Sequence, residues 1–273
     1  MIPFDFSKYH RTKAGGVYLS YQQIDTLTEM LLEDYKPELL KSPKAIEYDD
    51  FLEGYLGVEL DYQHIYTPKG EGDILGCAIF SNQRLAVFDK ENMCMSYRTY
   101  GPNTVVLDVS LVNGDRTIQE NITGLHEGGH IWIHGPILQV DQQQMTLDET
   151  DYGIISCRRE GIEKNERPTS SLEEIWREWQ ATTFAVTIAL PKKSLEISVP
   201  ELFDHYGIKG RQMVIDADPE TRALSYHKIP ENLKNIYNIS KEAIRYRLVK
   251  TGFYITKKEF EEKHAQMTLF DFL

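Results

Sequence analysis

The strongest constraint on this 273-residue chain is the run His126-Glu127-Gly128-Gly129-His130, set within Gly124-Leu125-His126-Glu127-Gly128-Gly129-His130-Ile131-Trp132-Ile133-His134. On a helix, His126 and His130 lie one turn apart and project from one face about 6 Å apart along the axis. Their imidazoles can then converge on one ion, with Glu127 beside it and not bound to it. Each glycine of the Gly128-Gly129 pair costs a helix about 1 kcal/mol relative to alanine, so propensity gives no reason for the pair. Close approach of something to the helix does, and it weighs against reading the run as merely a partly buried polar helix.

Chemistry explains the spacing. A catalytic Zn²⁺ takes three protein ligands and leaves a fourth position for water, and a neighbouring carboxylate can take that water's proton. One Zn²⁺ per chain is therefore the expected cofactor, with His126 and His130 as ligands and Glu127 as the catalytic base.

The rest of the composition narrows the setting. With 41% hydrophobic and 26% charged residues the chain has the profile of a soluble globular protein, long enough for one large or two small domains. No apolar run approaches a membrane span, and Met1-Ile2-Pro3-Phe4-Asp5-Phe6 lacks a basic region followed by a long apolar stretch. A cytoplasmic protein without membrane contact is expected. Cys77, Cys94 and Cys157 are isolated and odd in number, which suits buried thiols in a reducing compartment and argues against a thiolate metal site. The net charge of −12 opposes nonspecific nucleic-acid binding over most of the surface. One stretch departs from this: Lys234, Lys241, Arg245, Arg247, Lys250, Lys257 and Lys258 face only Glu242 within 234–258, a local charge of +6.

The periodicity predicts an amphipathic helix over 20–35, with Ile24, Leu27 and Leu31 on one face and Ser20 as cap. A second helix is expected from about Pro43 to Gly57. Three β-rich runs follow, 74–80, 84–89 and 104–112, the first two joined by Ser81-Asn82-Gln83 as in a hairpin. The motif helix should run from near Thr117 to Gly135-Pro136. After a polar stretch to Ser171, Ser170 and Glu173 form a capping-box pattern for a helix that Pro191 stops. Residues 199–206 and 233–249 read as helical, the latter as helix, short turn and a second helix capped by Ser240. The expected fold class is α+β: a mostly helical, zincin-like domain with a small, about three-stranded sheet over 1–195, a helix-turn-helix-like segment over 196–258, and a tail over 259–273.

A third metal ligand comes either close downstream or from an acidic residue on a second helix. A histidine ten residues after His126 is ruled out, because Pro136 stands there. His134 is the nearest substitute, but on an α-helix its direction is about 80° from that of His126, which suits packing or hydrogen bonding better. On the second helix Glu178 is available, with Glu174 one turn before it.

The residues His126-Glu127-Gly128-Gly129-His130, Glu178-Trp179-Gln180-Ala181-Thr182-Thr183-Phe184-Ala185 and Leu190-Pro191 together resemble the ImmA/IrrE family of bacterial zinc metallopeptidases. There the downstream helix commonly reads Glu-x-Glu-Ala-Asn-x-Phe-Ala before Leu-Met-Pro. The resemblance extends to Ile239-Ser240-Lys241-Glu242-Ala243-Ile244-Arg245-Tyr246-Arg247-Leu248, and it departs at Gly128, Thr182 and Ala189. It implies that Glu178 completes the zinc site, and that the activity is site-specific endoproteolysis of a helix-turn-helix repressor from a mobile element or stress response. His205, His227 and several tyrosines are open as stabilisers of the oxyanion.

Two other readings stand beside this one. The basic 234–258 segment suggests a non-proteolytic regulator that contacts DNA or protein, with salt-dependent binding. The C-terminal Gln266-Met267-Thr268-Leu269-Phe270 resembles the peptide by which bacterial proteins dock on the replication sliding clamp, with Gln266, Leu269 and Phe270 as anchors; the same residues could instead fold back onto the protein's own core.

Overall fold

Ser20 opens the first long helix, α1 (Tyr21–Tyr35), through a reciprocal cap: its hydroxyl accepts from the Gln23 amide, and the Gln23 side chain accepts from the Ser20 amide. Ile24, Leu27, Leu31 and Leu32 are buried along one face, as the spacing predicts. The structure is a computed structural model that describes residues 1–12, 16–67, 70, 72–112, 117–138, 153–158 and 172–262. It divides into two compact units, Met1–Pro37 with Ile46–Ala189, and Glu38–Ala45 with Leu190–Leu273. The single turn α2 (Glu38–Lys41) belongs to the second.

The helix expected from Pro43 is shorter than its pattern. The chain passes from one unit to the other at Ala45–Ile46, and the regular part is a π-helical turn, Asp50–Leu56, closed by Gly57 at φ +67°. A left-handed residue at a helix C-terminus favours glycine.

The first unit holds a four-stranded sheet whose strands lie in the order β1 (Glu59–Gln63), β5 (Thr104–Asp108), β2 (Ile74–Ile79) and β6 (Ile154–Arg158). Strand β1 (Glu59–Gln63) runs parallel to β5 (Thr104–Asp108), and β2 (Ile74–Ile79) is antiparallel to both β5 and β6 (Ile154–Arg158). Helices and strands are mixed, so the fold is α+β as expected, with one strand more in the sheet. The expected hairpin between the 74–80 and 84–89 runs does not form. Strand β3 (Gln83–Asp89) pairs instead with β4 (Cys94–Tyr100). Leu75 to Ile79 are all buried, which marks β2 as a central strand, and both of its edges are taken by β5 and β6. The β3–β4 hairpin packs on the sheet through Leu85, Val87 and Tyr100 against Cys77, Ile79 and Val106. Strand β5 stops at Asp108, short of Val112, because the Asp108 carboxylate caps a 3-10 turn at Val109–Leu111.

Helix α3 (Thr117–Gly129) continues into a π-helical turn at His130–His134, and every residue from Asn121 to His134 is buried. The sheet, the Asp50–Leu56 turn and α4 (Glu173–Ala189) all pack on it. In the capping pattern for α4, Ser170 lies outside the described residues.

The second unit begins with α5 (Lys192–His205), which starts directly after Pro191 rather than near Val199. Helices α6 (Pro219–Ala223), α7 (Ile229–Tyr237) and α8 (Lys241–Lys250) follow, with Asn238 left-handed between the last two and Ser240 capping α8. The helix, turn and capped helix read from the sequence are present. Short strands β7 (Met213–Val214) and β8 (Tyr254–Ile255) pair in parallel. Among the described residues no helix is long and apolar enough to cross a membrane.

Candidate metal centre

Helix α3 places His126 and His130 on the face toward α4, and α4 supplies Glu178 opposite them. His126 Nε2 and His130 Nε2 are 3.1 Å apart. Glu178 spans the pair, with Oε2 3.3 Å from His126 Nε2 and Oε1 3.3 Å from His130 Nε2. Metal–ligand bonds of about 2.0–2.1 Å in a tetrahedron imply ligand-to-ligand edges of about 3.3–3.4 Å. The two imidazole nitrogens and the carboxylate, which meets each nitrogen with a different oxygen, thus stand near the separations one ion would require. Both histidine side chains are fully buried, whereas that of Glu178 is 28% exposed, so the cluster opens to solvent on the α4 side. Glu174, the other acidic residue considered, is exposed and stands outside this group.

The electrostatics suit a cation. Burial pushes the His130 imidazole below its ordinary range, with the neighbouring Glu178 carboxylate pulling the other way. Burial by itself would raise the Glu178 carboxyl, but the two imidazoles override it and hold the group well below the usual carboxylate range.

Glu127 is the least satisfied group in the site. It is fully buried, and among the described residues neither carboxylate oxygen has a hydrogen-bond partner. Burial, and then the charge of Glu178, raise its pKa well above the ordinary value. Gly76 of β2 makes room for it: a Cβ at that position would lie 2.8 Å from Glu127 Oε1. The β2–β6 register also slips between Ile74 and Gly76. On β6, the Cys157 thiol forms a second group with His126 and Glu127, all ligand atoms within 4.8 Å of one another. Cys157 and Cys77 are buried as expected, but Cys94 is exposed, because it begins an outer strand of the hairpin.

The glycine pair has the reason its sequence suggested. A Cβ on Gly128 would meet Leu52 Cδ2 at 2.5 Å, and one on Gly129 would meet three Phe184 atoms at 3.0–3.1 Å. The Asp50–Leu56 turn and α4 approach α3 on these two sides.

Behind the cluster stand Thr182, His134 and Gln180, of which sequence reasoning gave Gln180 no role. His126 Nδ1 is 3.2 Å from Thr182 Oγ1, and His130 Nδ1 is 3.0 Å from His134 Nδ1. His134 Nε2 is 3.3 Å from Gln180 Oε1, and the Gln180 amide donates to the Val17 carbonyl at 2.8 Å. His134 thus hydrogen-bonds near the helix end. The only sequence signal for Gln180 is its position two residues after Glu178 on a buried helix.

The other sequence-based candidates lie elsewhere. His205 and His227 are exposed and belong to the second unit. In the basic segment Arg247 is fully buried, its Nε–H donating to the Leu190 carbonyl at 2.8 Å. Lys234 and Lys241 both pair with Glu231, Arg245 with Glu242 and Lys258 with Glu262. Glu231 and Glu262 fall outside the window that gave +6. Gln266, Leu269 and Phe270 lie outside the described residues. No protein-family model matches the chain, and no curated protein matches it.

Proposed function

We propose that the chain is a zinc-dependent endopeptidase of the ImmA/IrrE kind, working in the cytoplasm on a helix-turn-helix repressor. The observation that carries this reading is Glu127, a buried carboxylate with no hydrogen-bond partner among the described residues, next to the possible metal ligands His126, His130 and Glu178. A structural metal site would have no use for such a group. Left unpaired, it costs stability, and its position is that of a base beside a water-binding centre.

His126, His130 and Glu178 would hold the ion. When bound, zinc supplies Lewis acidity that polarises a carbonyl and acidifies water. Glu127 takes the proton of the attacking water on a carboxylate oxygen and returns it to the departing amine. Its raised pKa brings it closer to neutral pH, where one group can both accept and release a proton in a cycle. The buried flanks of α3 exclude solvent from that exchange. The choice of a repressor as substrate follows from the family resemblance of the two motif helices, and a narrow substrate range is expected with it.

The test pairs metal analysis with cleavage of repressors encoded nearby. Wild type should hold one zinc per chain. Glu178→Ala should lose it, and Glu127→Gln should keep it while losing cleavage. Wild type without metal, or Glu127→Gln that processes its target normally, would overturn the reading in favour of a binding regulator.

A further inference from the structure

We propose that Cys157, Glu127 and His126 form a second cation position, suited to a thiophilic divalent ion such as Cd²⁺ and distinct from the group of His126, His130 and Glu178. Strand pairing puts the thiol there. Residues directly opposite in an antiparallel pair share a face of the sheet, and Cys157 of β6 stands opposite Gly76 of β2. The adjacent pair, Ser156 and Cys77, turns to the other face, with Cys77 Sγ 3.4 Å from Ser156 Oγ and Cys77 packed under the β3–β4 hairpin. Successive side chains of a strand alternate between faces, so Cys157 points to the side that Gly76 leaves bare. Glu127 lies on that side. A Cβ on Gly76 would stand 2.8 Å from Glu127 Oε1 and 3.1 Å from Thr123 Cγ2. The Cys157 sulfur, a Glu127 oxygen and a His126 nitrogen all come within 4.8 Å of one another, and all three residues are fully buried.

Two observations besides the thiol argue for a cation. Both Glu127 oxygens lack a hydrogen-bond partner among the described residues, and an ion would satisfy them. The donor set is also mixed: thiolate sulfur favours soft ions, a bias that the imidazoles and carboxylate of the first group do not share. A four-coordinate ion draws nitrogen, oxygen and sulfur ligands to about 3.3–3.6 Å from one another, so the group closes by up to about 1.5 Å on binding. Glu127 breaks no hydrogen bond in moving, and an ion larger than zinc needs less closing. As the sulfur–metal bond forms, the thiol S–H breaks and its proton passes to solvent. His126 belongs to both groups. A ligating imidazole offers one lone pair, so the ring does not serve two ions, and the two positions exclude each other. Cd²⁺ held by Cys157 therefore takes His126 from the first group and engages the carboxylate assigned above as base. The position itself needs no zinc chemistry: it depends on Cys157 and Glu127, whatever His130 and Glu178 do.

The probe is Cd²⁺ itself, titrated into the metal-free full chain carrying Cys94→Ser, which removes the exposed thiol. An ultraviolet sulfur-to-metal charge-transfer band should rise and saturate at a single Cd²⁺ per chain, and X-ray absorption at the cadmium edge should find a sulfur among its ligands. Added Zn²⁺ should compete with that band. Glu178→Ala should keep the band even though it loses zinc. Cys157→Ser should abolish it and weaken Cd²⁺ binding by more than the roughly 10–100-fold typical of losing an outer partner of a ligand, and Glu127→Gln should weaken Cd²⁺ binding while sparing zinc. Metal-free urea midpoints of the variants separate misfolding from a lost ligand, and the X-ray measurement needs no change at Cys157 at all. Cd²⁺ bound without sulfur, a band that survives Cys157→Ser, or no uptake of Cd²⁺ would overturn the proposal. Sulfur-bound Cd²⁺ in a chain that takes up no zinc would uphold it and sink the peptidase reading instead.

Discussion

Replacing Glu127 by glutamine should change how the stability of the metal-free protein depends on pH. Folding moves the carboxyl into a site with no hydrogen-bond partner and raises its pKa well above the ordinary 4.5. Between those two values the folded chain keeps a proton that the unfolded chain has released. Stability therefore falls as pH rises, at about 1.4 kcal/mol per pH unit for one proton. Above the folded value the penalty is complete and constant. Glutamine has no such proton, so Glu127→Gln lacks the slope and adds only a constant for its own amide. The stability difference between the variant and wild type should widen by up to about 2.7 kcal/mol from pH 5 to pH 7, in favour of glutamine. Urea titrations with chelator present, at half-unit steps from pH 5 to pH 8, measure it. Because His126, His130 and Glu178 are common to both proteins, their own titrations largely cancel. Adding Zn²⁺ places positive charge beside the carboxyl and should flatten the wild-type slope. A difference that does not vary with pH would mean that Glu127 is solvated or paired, and the case for a poised base would fail.

Three further outcomes follow from the same geometry. Gly129→Ala gains about 1 kcal/mol of helix propensity but presses on Phe184, an overpacking cost of about 1–3 kcal/mol; its urea midpoint should stay level or fall, and a clear rise would contradict the close approach of α4. Gly76→Ala presses first on Glu127 and Thr123, so metal content should hold while kcat drops, and unchanged cleavage would show that the gap at Gly76 is not needed. A thiol reagent should modify one cysteine per native chain quickly, exposed Cys94, because burial pushes the Cys77 thiol up to about 12 and the Cys157 thiol well above its ordinary range. Fast modification of a second thiol would show that the sheet opens beside Glu127.

The candidate metal cluster was legible because its signals are local and chemical. The i, i+4 histidines need only a helix to converge, and the glycine pair announces close neighbours without naming them. Strand pairing was less legible. The Ile74–Ile79 run and its neighbour Gln83–Asp89 are separated by a short polar link, which reads as a hairpin, yet β2 is satisfied on both edges by β5 and β6, strands from distant sequence. Nothing within a ten-residue window reports a partner that far away. The local charge of the 234–258 segment was overread for a related reason: Glu231 and Glu262, which pair with its lysines, sit just outside it, and Arg247 is buried with its Nε–H on a carbonyl.

The contact of His134 with His130 was not legible, for a reason internal to the helix. In an uninterrupted α-helix each four-residue step overshoots a full turn by about 40°, so His134 would drift away from His130 as His130 does from His126. The chain instead adopts a π-helical turn at His130–His134. A π turn holds more residues per turn, so four steps rotate the chain less and the drift is undone. His134 then comes under His130, close enough for the 3.0 Å contact between their Nδ1 atoms. No residue in Ile131-Trp132-Ile133 forces such a turn, and sequence periodicity assumes the regular rotation throughout. The irregular turn thus lets one helix supply two candidate ligands and the outer partner of one of them. The regularity that made His126 and His130 readable would, continued for one more turn, have left His130 without that partner.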